Sequence, residues 1–319
     1  MNSSINKYRR FCREDNDLPI FFKDWWLDAA AGEENWSVQL VERDGDIVAC
    51  LPYVVKTKAF LKSMGMPDYT PFLGPWIRNN PNDSTDASIK TEQLQVEQLL
   101  ESLPKFDKYY IRLSTEIRSA RPFSNQEFDK TDCYTYVLDN IKDHERIYGG
   151  FKPANRSKIK QSEEKLEISE SDDLPALFKI CELSMKKNNL DIPFSYERLE
   201  KIYSAAKSEN RIQILLAKDE GERIHAGALL VWDKKRAYYL MGGNDPELRK
   251  HGAGTVMIWE AIKYCSQHVD IFDFEGSMIE PIEKFFKSFG AVQQPYFLVT
   301  KTASRLIKTA QKVQNIIKG

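Results

Sequence analysis

The chain has 319 residues, with 46 lysines and arginines against 47 aspartates and glutamates, and a formal net charge of −1. That length allows two domains, and a composition 42% hydrophobic and 29% charged is that of a globular protein. The near-neutral charge gives no general case for DNA or another polyanion as partner, and the basic runs at 7–10 and 152–165 read as solvated faces. Five scattered cysteines (Cys12, Cys50, Cys133, Cys181, Cys265) never fall in Cys-x-x-Cys spacing, which argues for a reducing compartment and against a zinc site. The first ten residues lack the apolar core of a signal peptide, and no apolar run reaches membrane-spanning length. The expectation is a cytoplasmic protein without a transmembrane segment.

Residues 36–42 alternate like a strand, 43–46 (Arg-Asp-Gly-Asp) make a turn, and 47–55 return as a second strand. Three prolines between Met66 and Trp76 predict a rigid, extended stretch. A helix follows over 92–102 and a strand over 109–113. A linker falls near 139–143, ahead of a basic helix over 155–165. Apolar spacing then predicts helices at 174–188 and 196–207. Strands at 212–218 and 224–232 enclose a turn at 219–222, and Lys234-Lys235 turns into a third strand over 236–242. A helix over 255–267 and a strand over 269–274 complete the set, so hairpin, helix and strand recur in the same order in both halves. A duplicated module with domains 1–140 and 141–319 is the simplest account. Trp25, Trp26 and Trp36 are expected in the first half's core.

Between the third strand and the helix of the second half stands Arg249-Lys250-His251-Gly252-Ala253-Gly254. Glycines at a strand-to-helix turn let successive N–H groups point into one hollow, and the helix start adds its positive end. The pattern suits a pyrophosphate, and only the second half carries it. His251 reads mainly as an exposed loop residue within reach of a phosphate. His144, His225 and His268 show no metal or triad spacing, and no metal is expected. Asp273 and Glu275 alternate with Phe272 and Phe274, so on a strand both carboxylates would share one face. Held close, one would have its pKa raised toward the range of a general base; Glu275, nearer the strand end, is the first choice.

In its order of elements, in Arg-x-x-Gly-x-Gly, and in the late segment 282–291 ending at Phe289-Gly290-Ala291, the second half resembles the GNAT N-acyltransferase superfamily. Tandem halves with Phe272-Asp273-Phe274-Glu275-Gly276-Ser277 after the cofactor helix are similar to the FemAB/FemX-like and CelD-like branches. The resemblance runs from about residue 18 to 301. It implies an α/β (α+β) fold of two tandem GNAT-like domains, each a mixed, mostly antiparallel central sheet flanked by helices.

It also implies an acyl donor, acetyl-CoA or another acyl-CoA, lying between the fourth and fifth strands of the second half. Backbone groups of Leu240, Met241 and Gly242 would pair with the pantetheine, with a Met241 N–H polarising the thioester carbonyl. Lys250, His251, Gly252, Ala253 and Gly254 would hold the pyrophosphate, with Arg249 adding charge. Two positions depart from the family. Phe286 stands where many members have an acidic tyrosine, four residues before the glycine. Trp76-Ile77-Arg78 follows Gly74-Pro75 where FemX-type members soon have an acid; Asp68 and Tyr69, close by, are the first-half candidates for substrate contact.

The implied activity is N-acyl transfer to a small-molecule or peptide amine of a cell-envelope or polysaccharide precursor. An aminoacyl-tRNA-dependent peptidoglycan ligase of FemX type, taking charged tRNA as partner, is the second reading. A non-catalytic binding protein that kept the fold is the third. Residues 304–318 have amphipathic spacing and carry Arg305, Lys308, Lys312 and Lys318. They are expected to form a helix docked on its own domain or touching a membrane surface.

Overall fold

A computed structural model of the chain describes residues 3–14, 17–78, 85–187, 191–193, 195–248, 252–276, 278 and 280–303. The first half runs α1 (Ser3–Glu14), α2 (Asp24–Ala31), β1 (Trp36–Arg43), β2 (Asp46–Lys58), β3 (Leu61–Gly65), β4 (Trp76–Ile77), α3 (Thr85–Glu101), β5 (Lys108–Arg112), α4 (Arg121–Asn125) and β6 (Asp129–Asp139). The second runs α5 (His144–Gly150), α6 (Pro153–Glu163), β7 (Glu167–Ser171), α7 (Leu174–Lys186), α8 (Tyr196–Ser208), β8 (Ile212–Lys218), β9 (Ile224–Trp232), β10 (Arg236–Asn244), α9 (Ala253–Cys265), β11 (Ile271–Asp273), α10 (Glu280–Lys287) and β12 (Val292–Thr302). The helix expected over 304–318 lies outside the described residues.

The described chain forms two compact units, one up to Cys133 and again from Pro295, the other Tyr134–Gln294. In the first, β1 and β2 pair antiparallel from Trp36↔Val54 to Arg43↔Asp46. Their two-residue turn holds Asp44 (φ 52) and Gly45 (φ 90) in left-handed conformation, the Asp-Gly geometry that matches strand twist. β2 pairs antiparallel with β3. β3 then runs parallel to β5 through Ser63↔Lys108 and Met64↔Tyr109, with α3 as the crossover. β12, from the end of the chain, completes this unit antiparallel to β5, with Leu298 opposite Arg112. That placement departs from the expected split at 140/141, which sent the whole tail to the second domain.

Much of the first unit's packing hangs on α1, which sequence periodicity did not reveal. Arg9 grips Asp28 with two bonds, of 2.6 and 2.8 Å, and lies 5.4 Å from the Trp36 ring. Asp28 also accepts from Trp36 Nε1 at 2.8 Å. One carboxylate therefore joins α1, α2 and β1, and part of the basic run at 7–10 is structural rather than solvated. Trp26 is wholly buried and Trp36 nearly so, in the core as expected, while Trp25 is only half-buried.

Glu92 on α3 is another buried anchor. Its carboxylate accepts from the N–H groups of Arg118 (3.0 Å) and Ser119 (3.2 Å) and from Arg118 Nε at 3.0 Å. Glu92→Leu would leave those N–H groups without their acceptor. It is expected to lower unfolding stability by about 1–3 kcal/mol in urea melts.

The second unit repeats the plan. β8, β9 and β10 form an antiparallel meander, and β7 pairs antiparallel with β8. α9 crosses over, and β11 returns parallel to β10. β6 lies antiparallel to β11 through Leu138↔Phe272 and Val137↔Asp273. α9 is apolar nearly all round, with Val256, Ile258, Trp259 and Ile262 buried. It seats against Leu230, Phe272 and Phe274, so the unit's core directly supports the head of this helix.

Candidate active site

The parallel register of β10 with β11 covers Arg236–Tyr238 against Ile271–Asp273 and ends there, while β10 continues to Asn244 on β9. Between Tyr239 and Met241 the β9 register shifts, a bulge centred on Leu240. Bulges bend a strand and sharpen its twist, which fits a strand leaving its neighbour. Leu240, Met241 and Gly242 all lie on the stretch of β10 beyond the β11 pairing. Each is half-buried.

At the far end of that stretch Gly252 caps α9 in left-handed conformation (φ 67), with no side-chain cap bond and no acid in the first turn. A Cβ at Gly252 would come 2.9 Å from Ser162 Oγ and 3.4 Å from Lys158 Cβ; one at Gly254 would come 2.6 Å from Asn244 Oδ1. Conformation requires the first glycine and close approach the second. The first N–H groups of a helix have no carbonyl partner within it. At Ala253 and Gly254 they combine with the positive helix end into an anion-attracting position. Arg249, Lys250 and His251 lie outside the described residues. Lys158 is a site-adjacent cation that sequence reading placed on a solvated face; only the packing of α6 on α9 shows that its stem covers Gly252.

Asp273 and Glu275 do not stand as alternating strand residues. β11 stops at Asp273, and Glu275 takes a left-handed backbone (φ 55) where the chain turns away. Asp273 is buried. Its Oδ2 accepts from Arg236 at 2.8 Å, and its Oδ1 accepts from Thr135 Oγ1 at 2.5 Å and from the Glu275 N–H at 3.0 Å. Burial pushes the Asp273 carboxyl up from its ordinary value, and Arg236, Thr135 and the Glu275 N–H pull it back. For Arg236, burial opposes the charge, but Asp273 and the neighbouring Tyr238 and Asp233 outweigh it and hold the guanidinium above its ordinary range.

With both oxygens engaged, Asp273 acts as a clamp on the Glu275 turn. Glu275 is half-buried. Sequence reasoning missed Arg236 and Thr135, whose roles depend on three neighbouring strands.

Phe286 is buried on α10, its ring 4.9 Å from Phe274 and 6.3 Å from Tyr136. It is a core residue with no proton to give. In the first unit, Tyr69 is buried with a left-handed backbone (φ 52), and Asp68 pairs with Lys56 at 3.3 Å. His225 Nε2 lies 2.9 Å from Asp219 Oδ2 and His144 Nε2 2.8 Å from Ser266 Oγ. Among the described residues no cluster of three or more His, Cys, Asp or Glu could hold a metal, and no helix is long and apolar enough to cross a membrane. All five cysteines are buried thiols.

A strand that parts from its parallel neighbour, a glycine turn and a central helix, built on a mixed sheet in each unit, define the GNAT acyltransferase fold in tandem. Residues 154–280 match the family model of the acetyltransferase (GNAT) domain. Over nearly its whole length the chain is similar to the solved structure of FemX: TM-score 0.68, 14% identity, 93% of this chain and 96% of that one. It is also similar to the C-terminal domain of a putative lysylphosphatidylglycerol synthetase from Agrobacterium fabrum, with TM-score 0.56, 13% identity, and 93% and 92% of the two chains covered. A tandem GNAT protein from the clavulanic acid biosynthesis pathway matches with TM-score 0.50 and 11% identity over 88% and 94%. No curated protein matches the sequence.

Proposed function

We propose that the protein is an N-acyltransferase carrying an acyl group from acyl-CoA to an amine of a cell-envelope precursor, an amino sugar or a peptide. The observation that carries this reading is the open stretch of β10, bounded by the Gly252–Gly254 turn at one end and by Glu275 near the other. The pantetheine would pair with backbone groups of Leu240, Met241 and Gly242. The pyrophosphate would meet the N–H groups of Ala253 and Gly254, with Arg249, Lys250 and His251 supplying further contacts.

In the reaction the neutral amine nitrogen attacks the thioester carbonyl carbon, the C–S bond breaks, and the thiolate leaves and takes up the proton that the nitrogen sheds as the amide forms. An alkylammonium has a pKa near ~10.4, so a base must first take its proton; Glu275 is assigned that role, and Asp273 the role of holding it. A thiol of pKa about 8.5 leaves as thiolate without a strong acid, so Phe286 in the tyrosine position does not block the chemistry. The envelope precursor rests on the resemblance to the FemAB/FemX-like branch.

Calorimetry with acetyl-CoA and CoA tests the donor, and saturable heat is expected. No heat and no thermal shift would remove the CoA reading. The full-length likeness to FemX favours a second donor, an aminoacyl-tRNA; transfer from charged tRNA in a filter assay would then be seen instead.

A further inference from the structure

The most exposed large apolar side chain among the described residues lies in the first unit. Phe60 is 88% exposed at the two-residue tip between β2 and β3, where Lys58 faces Leu61 and Thr57 faces Lys62. Its neighbour Ala59 is left-handed (φ 56), a conformation costly for a residue with a side chain. Folding alone gives no reason to present a phenyl ring there. Beside it lies a groove of ≈ 600 Å³ in the same unit, with Phe60, Leu103 and Phe106 supplying apolar lining and Lys62, Lys105 and Lys301 the cations. Asp107 is the acid of that groove, and its carboxylate accepts the Lys62 N–H at 2.8 Å. Lys301 Nζ donates to the Gln126 carbonyl at 2.5 Å and lies 4.9 Å from the Phe128 ring, so this ammonium is fixed in place.

We infer that the Phe60 hairpin tip and the adjacent lysine-lined groove dock the protein on an anionic phospholipid surface. An apolar tip ringed by cations suits a bilayer interface, where the ring enters the acyl boundary and the ammoniums meet lipid phosphates. Charge complementarity selects this occupant. The chain's own residues 304–318 carry Arg305, Lys308, Lys312 and Lys318, and a second copy would bring the same lysines; either places like charges together. RNA would satisfy the lysines but leave Leu103 and Phe106 without an apolar counterpart. The inference is independent of which acyl donor is used.

The test is co-sedimentation of the full chain with vesicles of phosphatidylcholine alone and of equal parts phosphatidylcholine and phosphatidylglycerol. Binding is expected with the anionic vesicles only, and added salt should release it. Phe60→Ser should weaken the partition about tenfold, and Lys105→Glu at least about fivefold. Leu94→Ser, at an exposed leucine on α3, should leave it unchanged. Phe60 and Lys105 are exposed, so thermal midpoints of the variants should match the parent. Failure to bind anionic vesicles, or binding indifferent to both Phe60→Ser and Lys105→Glu, would overturn the inference. RNA retention on filters lost in the same two variants, without vesicle binding, would overturn it as well. Donor calorimetry is unaffected by any of these outcomes, so the two readings fail separately.

Discussion

Glu275→Gln is expected to lower the acyl-transfer rate by about 10²–10⁴-fold, the usual worth of a general base, while acetyl-CoA binding by calorimetry stays unchanged. The substitution preserves size and the backbone N–H that Asp273 accepts. The left-handed turn should persist, and the loss should fall on kcat rather than on donor affinity. A non-catalytic protein that kept the fold predicts the opposite: biological activity intact in Glu275→Gln. An unchanged rate with intact donor binding would remove Glu275 from the chemistry.

Arg236→Met should cost about 3–5 kcal/mol of stability, because it leaves the buried Asp273 carboxylate without its counter-charge. Activity should fall too, since Asp273 then clamps the Glu275 turn from a weakened network. The loss should depend on pH in a definite direction. Burial raises the Asp273 carboxyl, and without the Arg236 pull it rises further. A carboxyl raised in the folded state binds more protons folded than unfolded, so stability declines as pH climbs from the ordinary aspartate value through the raised one. The deficit relative to parent should therefore be larger at neutral pH than in mild acid, and urea melts at two pH values would show it. A pH-independent deficit would mean that lost packing, not the stranded carboxylate, dominates.

The site was partly legible. Gly252 and Gly254 were found because a turn into a helix demands unusual backbone freedom, and that demand is written in residue type. Asp273 and Glu275 were read as two acids on one strand face, and only their backbone setting differs. Alternation predicted one shared strand face, but β11 ends at Asp273 and its buried carboxylate turns Glu275 into a left-handed kink. Arg236 and Thr135 carried no signal, since neither is near Asp273 in sequence. α1 was hidden by its own charges, Arg9 being read as solvated when it is bound to Asp28.

By itself the sequence determined what is local: which stretches alternate as strands, where Asp44-Gly45 must turn, where glycine must stand before α9, and that a core of this size can form twice. Short-range sterics and hydrophobic period decide these matters within a few residues. The tertiary structure alone decided which strands meet. β5 is completed by β12 from the end of the chain, and β11 by β6. Strand pairing is a long-range choice among segments of similar pattern, won by total burial and register rather than by any one segment's residues. The ending of the β10–β11 register at Tyr238, beyond which β10 runs on along β9, is likewise a property of strands together.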